Sequence, residues 1–401
     1  MDVNSFVIGY NKGKASAPAG VELNIHYSET EPPKDTSKLW VKASEPETVA
    51  ISSPIEQNGF VTELEDQMSA TLSSRSAARV GTNIYIFGGF AYGTRYNTIE
   101  VFDTEYGTVT TSEHVLPQAA NNMGIAVVGA KIYLLGGMSS SALNTIVVFD
   151  TENDRIDTLS KTLPSKVQGT TAAAIGANIY FFGGYNGSNY TNAIYIFDTE
   201  TNDIQKSSAV FSTTRSNMAS AVVGDNVYLF GGYPNVSEIW VYSATNDSVR
   251  LLTTAVLPQP AEDIAAEAIG TKVYLFGGYN RSSGKKFDTV NVFDTENNSI
   301  KTLDAVLPFG ASGIASAVAN EKVYLFGGQK ESGYSKDVLE FEPGFELADK
   351  KMDIWTDGSN NEFSLIPNTT ICVNKVFVGN EKNIGKEVEA ALYKDGEWKS
   401  I

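Results

Sequence analysis

Short apolar runs recur along the chain, each ending in a double glycine: IYIFGG, IYLLGG, IYFFGG and then VYLFGG three times. Their first glycines are Gly88, Gly136, Gly183, Gly231, Gly277 and Gly327, at spacings of 48, 47, 48, 46 and 50 residues. The surroundings of each run are constant. Small apolar residues precede it, as in GIAVVG (Gly124 to Gly129) or SAVVG (Ser220 to Gly224). A polar loop rich in Gly, Ser, Asn and Tyr follows. Then come an alternating run such as TIEVFDT from Thr98 or TVNVFDT from Thr289, a Thr-Glu-x-Asn turn, and a last alternating run such as SIKTL from Ser299. Four short segments with period-2 alternation, joined by turns, predict one four-stranded antiparallel sheet per repeat.

A lone twisted sheet of this kind cannot bury both faces. Sheets arranged radially around an axis bury one another, and the innermost strands crowd that axis. The Ala, Gly, Ser and Val of the first strand suit this crowding, and the glycine pair permits a turn with positive φ and a close approach to the neighbouring sheet. Asp at the following corner suits a tight turn, because its side chain satisfies nearby backbone groups. The pattern predicts an all-β fold, a six-bladed β-propeller.

These motifs resemble the kelch repeat. That family places Gly-Gly after the second strand, then an aromatic residue and a Trp with six residues between them. Here the aromatic is Phe102, Phe149, Phe197, Tyr242 or Phe293, and seven positions later stand Val109, Ile156, Ile204, Val249 and Ile300. An aliphatic side chain replaces Trp, and either can fill the space between blades. The resemblance covers about 285 residues. It implies the kelch propeller fold and says little of function, since one fold hosts many activities.

An open ring would expose two sheet edges. FVTELEDQMSATLSSRSAARVG, from Phe60, matches SIKTLDAVLPFGASGIASAV, from Ser299, so Phe60 to Leu64 reads as an orphan fourth strand standing before the first repeat. The last repeat supplies three strands, Gly313 to Val318, Lys322 to Phe326 and Asp337 to Phe341. The propeller is therefore predicted over 59–344, closed by an N-terminal outer strand. The flanks 1–58 and 345–401 read as short strands forming a small accessory β-unit from both termini. A rival reading makes Lys375 to Ile401 a degenerate seventh repeat, since KVFVGN resembles KVYLFGG. The runs NSFVIGYNKGKAS, VELNIHY…PPKDTSKLWVKASEP and VFVGNEKNIGKEVEAALYKDGEW are similar to segments of phage and prophage tail-associated proteins of gut Firmicutes. That resemblance implies ends attached to a larger particle and a propeller facing a target; the other reading is that the ends simply cap the ring.

Charge narrows the partners. The net charge is −17, without a Lys/Arg cluster, which disfavours nucleic acid and anionic membrane surfaces. A hydrophobic share of 42% against 19% charged residues fits a packed domain rather than a disordered chain. The single cysteine, Cys372, allows no intrachain disulfide. The first residues lack the pattern of a signal peptide, and no stretch approaches the apolar length of a membrane helix. The protein is expected to be virion-associated, or cytoplasmic before assembly.

No metal or cofactor is implied. Copper radical oxidases resembling galactose oxidase need two His and two Tyr, one Tyr bonded to Cys; this chain has only His26 and His114. His114 is expected just past a fourth strand, far from the axis. Walker, GxSxG, HExxH and Cys/His metal motifs are absent. Sialic-acid mutarotases are metal-free kelch enzymes that use charged residues in the funnel. Here the loops entering each first strand, expected to line that funnel, carry Arg75, Asn121, Asn122, Gln168, Arg215, Asn217, Glu262 and Asp263. Arg75 and Arg215 occur in matching Arg-Ser contexts and could grip a carboxylate or phosphate bidentately; alternatively each pairs with an acidic neighbour. The loops after Gly-Gly contain Tyr, Asn, Ser, Gly and Arg, the residues of adaptable recognition surfaces. Tyr92, Tyr96, Tyr190, Arg281 and Tyr334 are candidates there, while Tyr185, Tyr233 and Tyr279 follow the glycines directly and could instead pack on the next blade.

The sequence thus points first to a non-enzymatic recognition module binding a host-surface glycan or protein through the loop face, possible as an oligomer and as a tail component. A metal-free sugar-modifying enzyme and an intracellular interaction scaffold are the alternatives.

Overall fold

The computed structural model describes residues 59–343 and, in the two flanks, the backbone of several short strands. The chain divides into two compact units, Asn58–Pro343 and the combined flanks Met1–Gln57 and Gly344–Ile401.

The first unit is six four-stranded antiparallel sheets. Blade 1 runs Ser76–Val80, Asn83–Phe87, Thr98–Asp103, Thr108–Val115; blade 2 runs Gly124–Val128, Lys131–Leu135, Ile146–Asp150, Arg155–Thr158. Blade 3 runs Thr171–Ile175, Asn178–Phe182, Thr191–Asp198, Ile204–Arg215; blade 4 runs Ala219–Val223, Asn226–Phe230, Ile239–Ser243, Ser248–Leu251. Blade 5 runs Ala265–Ile269, Lys272–Phe276, Thr289–Asp294, Ser299–Val306. Blade 6 takes Ala315–Ala319, Lys322–Phe326 and Val338–Glu342 from the end of the unit and Phe60–Glu63 from its start, with Phe60 opposite Glu342 and Glu63 opposite Leu339. Each first strand neighbours the next around the axis, and the sixth returns to the first.

The glue between blades repeats. The buried third-strand aromatic packs on second-strand rings of the preceding blade: Phe149 on Tyr85 and Phe87, Phe341 on Tyr274 and Phe276, and Phe102 of blade 1 on Tyr324 and Phe326 of blade 6. Val109, Ile156, Ile204, Val249 and Ile300 join the same interfaces, as the spacing predicts. Each fully buried aromatic contributes roughly 1.5–3 kcal/mol.

Backbone contacts complete the ring. The second glycine of each pair donates its N–H to a carbonyl of the segment that leads into the next blade, as Gly232 does to Ala261 at 2.8 Å, and Gly328 of blade 6 donates to Leu72 at 2.9 Å. The first glycine lies against that same carbonyl. A Cβ on Gly231 would stand 2.2 Å from the Ala261 oxygen, so only glycine lets the blades approach so closely.

In the flanks, Asn4–Gly9 pairs with Lys375–Asn380 and Asn24–Ser28 with Asn361–Ser364, so strands from both ends share sheets. The segment that resembles a seventh repeat therefore has its partner in the N-terminal flank.

Candidate functional site

The loops that enter the first strands meet around the axis. Ser74, Asn122, Gly169, Asn217, Asp263 and Gly313 occupy equivalent positions, all with φ between +52° and +60°. In this left-handed conformation each N–H reaches the carbonyl of its counterpart in the preceding blade. Asn122 donates to Ser74 (3.0 Å), Gly169 to Asn122 (3.0 Å) and Asn217 to Gly169 (2.7 Å). Asp263 donates to Asn217 (3.3 Å), Gly313 to Asp263 (3.0 Å), and Ser74 closes the circle on Gly313 (2.8 Å). Small residues and Asn or Asp tolerate this backbone, which explains the Asn, Ser, Asp and Gly found there.

Below this hoop runs an axial channel of about 530 Å³, lined by the first strands of all six blades. Opposite the tyrosine of each apolar run the first strand places Ala78, Ala126, Ala173, Ala221 and Ala317, but Glu267 in blade 5. Ser316 of blade 6 donates to the Glu267 carboxylate at 2.8 Å. Burial among these walls pushes the Glu267 carboxyl up to about 7. Burial, and then the neighbouring Glu262 charge, push Asp263 up to about 7 as well. Arg79 lines the same channel.

The two funnel arginines are not ligand groups, which corrects the expectation for both. Arg75 is 6% exposed; it donates Nε–H to the Gly88 carbonyl at 3.1 Å and ion-pairs with the fully buried Glu100 of its own blade. Arg215 is 2% exposed and ion-pairs with Glu238, which also accepts from the Trp240 indole at 2.9 Å. Both guanidiniums are turned into the blade, where burial lowers their pKa. The Arg-Ser repetition encodes packing.

The loops after Gly-Gly assemble a different cluster. Tyr185, Tyr190 and Tyr233 stack in sequence, with centroids 4.6 and 4.3 Å apart and the second pair within 20° of parallel. The Arg281 guanidinium lies 5.7 Å from the Tyr233 ring centre and 6.0 Å from that of Tyr279, and Lys286 stands 5.3 Å from the Tyr279 ring. The row crosses blades 3, 4 and 5. Behind it, Glu262, fully buried, accepts from Arg281 Nε at 2.7 Å and pairs with Nη2 at 2.6 Å. Asn235 tightens the loops by accepting the Arg281 backbone N–H at 3.3 Å. Burial and the adjacent Tyr233 raise the Tyr190 phenol above its ordinary value.

A second aromatic group joins blades 6 and 1. Tyr92 packs edge-on against Tyr334 at 4.9 Å, Phe90 lies 6.4 Å from Tyr334, and Arg95 sits 5.3 Å from the Phe90 ring centre. Tyr92 is 75% exposed and has φ +48°, a conformation a bulky side chain rarely adopts.

The structure thus joins Tyr190 to Arg281 and Tyr92 to Tyr334, and puts Asn122 and Asn217 in the axial hoop. Gln168 holds its loop by a backbone pair with Tyr185, 2.9 Å each way. Tyr96 is half-buried and its backbone bonds Gly89 and Ala120, so it stands apart from both aromatic groups. His114 lies within the fourth strand rather than past it, against the Phe149 ring and 3.1 Å from Asp154. Sequence reasoning missed Glu267, although a charge in AAEAI where other repeats read alanine was a usable signal. It left Tyr185, Tyr233 and Tyr279 between two readings, and they both pack across blades and form the row. Among the described residues no group of three or more His, Cys, Asp or Glu could hold a metal ion.

Residues 116–247 and 217–378 match the family model described as the KLHDC2/KLHL20/DRC7 Kelch-repeats domain, and residues 71–110 match the Kelch motif. The search of curated proteins returned no match.

Proposed function

Because this chain belongs to the kelch-repeat family, whose repeats build interaction modules, we propose that it is a recognition module that binds a surface glycan or protein through its loop face, without turnover. The observation that carries this reading is the Tyr185–Tyr190–Tyr233–Arg281–Tyr279 row. Side chains from three blades hold one another rigid there, so little conformational entropy remains to be lost on binding. The resemblance of the flanks to phage tail-associated proteins supports a place in a phage or prophage tail, with the ends as attachment.

The test is binding of the purified protein to an array of glycans and bacterial surfaces, beside Tyr190→Ala. Specific binding that Tyr190→Ala abolishes while Tyr96→Ala retains it supports the reading. Specific binding unaffected by Tyr190→Ala removes the row from the function. Mass spectrometry of purified particles tests the tail assignment.

One observation favours a second reading, a metal-free sugar-modifying enzyme. Asp263 and Glu267, both near neutrality, line one channel and could exchange protons at physiological pH. Exchange of sugar anomers measured by NMR separates the two: acceleration that Glu267→Gln abolishes would make the protein an enzyme.

A further inference from the structure

The chemistry of the row narrows its ligand. The tyrosine faces are occupied by one another and by Arg281, so the row offers edges: phenol hydroxyls and guanidinium N–H groups. The Tyr185 hydroxyl is spent on the Gly187 carbonyl at 2.8 Å. Tyr190 shares a side-chain hydrogen bond with Tyr233, so one phenol O–H of that pair, the Arg281 nitrogen not engaged by Glu262, and the Lys286 ammonium remain. Arg281 keeps 57% of its side chain exposed although Glu262 anchors it. Burial, with the neighbouring Tyr233 and the hydrogen bond to it, raises the Tyr190 phenol, so the pair stays protonated at neutral pH and keeps one O–H to donate. A row of donors, two of them cationic, matches an oxyanion better than a neutral apolar surface.

The turns and the blade 5 loops differ in the charged residues they leave exposed. The turns between third and fourth strands open on the opposite face, where Asp103, Asp150, Asp198 and Asp294 are each followed by Thr-Glu. Asp103 and Asp198 spend an oxygen on their own turn by accepting backbone N–H bonds, and the glutamates of these turns remain exposed. The loop face of blade 5 carries Arg281, Lys285 and Lys286 instead. Lys131 and Lys322 on the turn side are paired with Asp150 and with Glu340 and Glu342, whereas Arg281 keeps more than half of its side chain exposed, so the blade 5 loops suit an anion better than the turns do.

We propose that the row binds an acidic saccharide, its carboxylate or phosphate received by the hydrogen-bonded Tyr190–Tyr233 pair and Arg281 with Lys286 alongside. This rests on the recognition function proposed for the loop face and goes beyond it by naming the ligand's charge.

The experiment uses glycans in matched pairs: uronic-acid oligosaccharides with their carboxyl-reduced counterparts, and phosphodiester-bearing glycans with their dephosphorylated counterparts. The full chain is compared with Tyr190→Phe and Lys286→Ser, which leave the Arg281–Glu262 pair intact. Binding of one acidic member is expected, weaker by about tenfold or more for its neutral partner and in each variant, and falling with added salt. The pair that responds tells carboxylate from phosphate. Equal binding of both members of a pair, still lost in Tyr190→Ala, would overturn the acidic ligand and leave recognition standing. Capture of a protein target independent of its glycans would also overturn it. No binding to any glycan or surface would sink both readings.

Discussion

The closeness of the blades can be measured through two glycines of blade 4. Gly231 has φ +59° and Gly224 has φ +58°, so replacement by alanine imposes the same left-handed cost, roughly 1–2 kcal/mol. Their surroundings differ. A Cβ on Gly224 meets nothing within 4 Å, whereas one on Gly231 meets the Ala261 carbonyl at 2.2 Å, more than 1 Å inside ordinary contact. That carbonyl belongs to the segment that leads into the next blade and accepts the Gly232 N–H. Gly231→Ala must push blade 5 away and leave a buried donor and acceptor badly paired, at roughly 1–3 kcal/mol, with packing strain of about 1–3 kcal/mol more. The expected loss beyond Gly224→Ala is therefore about 2–6 kcal/mol, a further drop in Tm of roughly 5–20 °C. Urea unfolding followed by tryptophan fluorescence reads this directly, since Trp240 lies in the same blade. If the two variants unfold within about 0.5 kcal/mol of each other, the blades are not held together by a contact that only glycine permits.

Other expectations follow from the charges. Glu267 has its carboxyl raised to about 7, so the folded chain keeps a proton that the unfolded chain releases near pH 4. Its contribution to stability is full below pH 4 and declines as pH rises to 7; Glu267→Gln should flatten this slope and add on the order of 2 kcal/mol of stability at pH 8, which a pH series of melts checks. Asp247 behaves oppositely. Against the pull of burial, hydrogen bonds from Ser207, Ser208 and Tyr242 hold it at about 2, so its contribution is present above pH 4 and lost as pH falls through 2. Asp247→Asn should cost about 2 kcal/mol at pH 7 and little at pH 2; equal losses at both would refute the assignment. Arg75→Ala strands the buried Glu100 and should destabilise by about 3–5 kcal/mol, while leaving ligand affinity unchanged in the array.

What the sequence disclosed was whatever repeats. The aromatic that closes each blade interface recurs at fixed spacing, so Phe102 and its four counterparts Phe149, Phe197, Tyr242 and Phe293, with Val109 and its counterparts, were legible from one another. Phe60 to Leu64 was legible as a fourth strand because its repeat had none. The arginines misled because Arg75 and Arg215 share a local context while their partners do not: Glu100 lies within the third strand of blade 1, and Glu238 just precedes that of blade 4. The recognition row was harder still. Tyr190, Tyr233 and Arg281 come from three loops of unequal length in successive blades, and no periodicity relates them. Their meeting depends on loop paths, including the left-handed Asn235, that alternation does not encode.

The pairing that closes blade 6 has a mechanical consequence. Phe60 and Glu342 are the outermost residues of their strands and stand opposite each other, followed inward by Val61 with Phe341 and Thr62 with Glu340. Tension drawn between the two ends of the propeller would load these pairs one after another, as a zipper, rather than all at once in shear. The ring is weakest to a pull that separates its own ends and far stronger when both are tethered side by side. A propeller that must hold a target under drag is therefore best gripped by its two ends together.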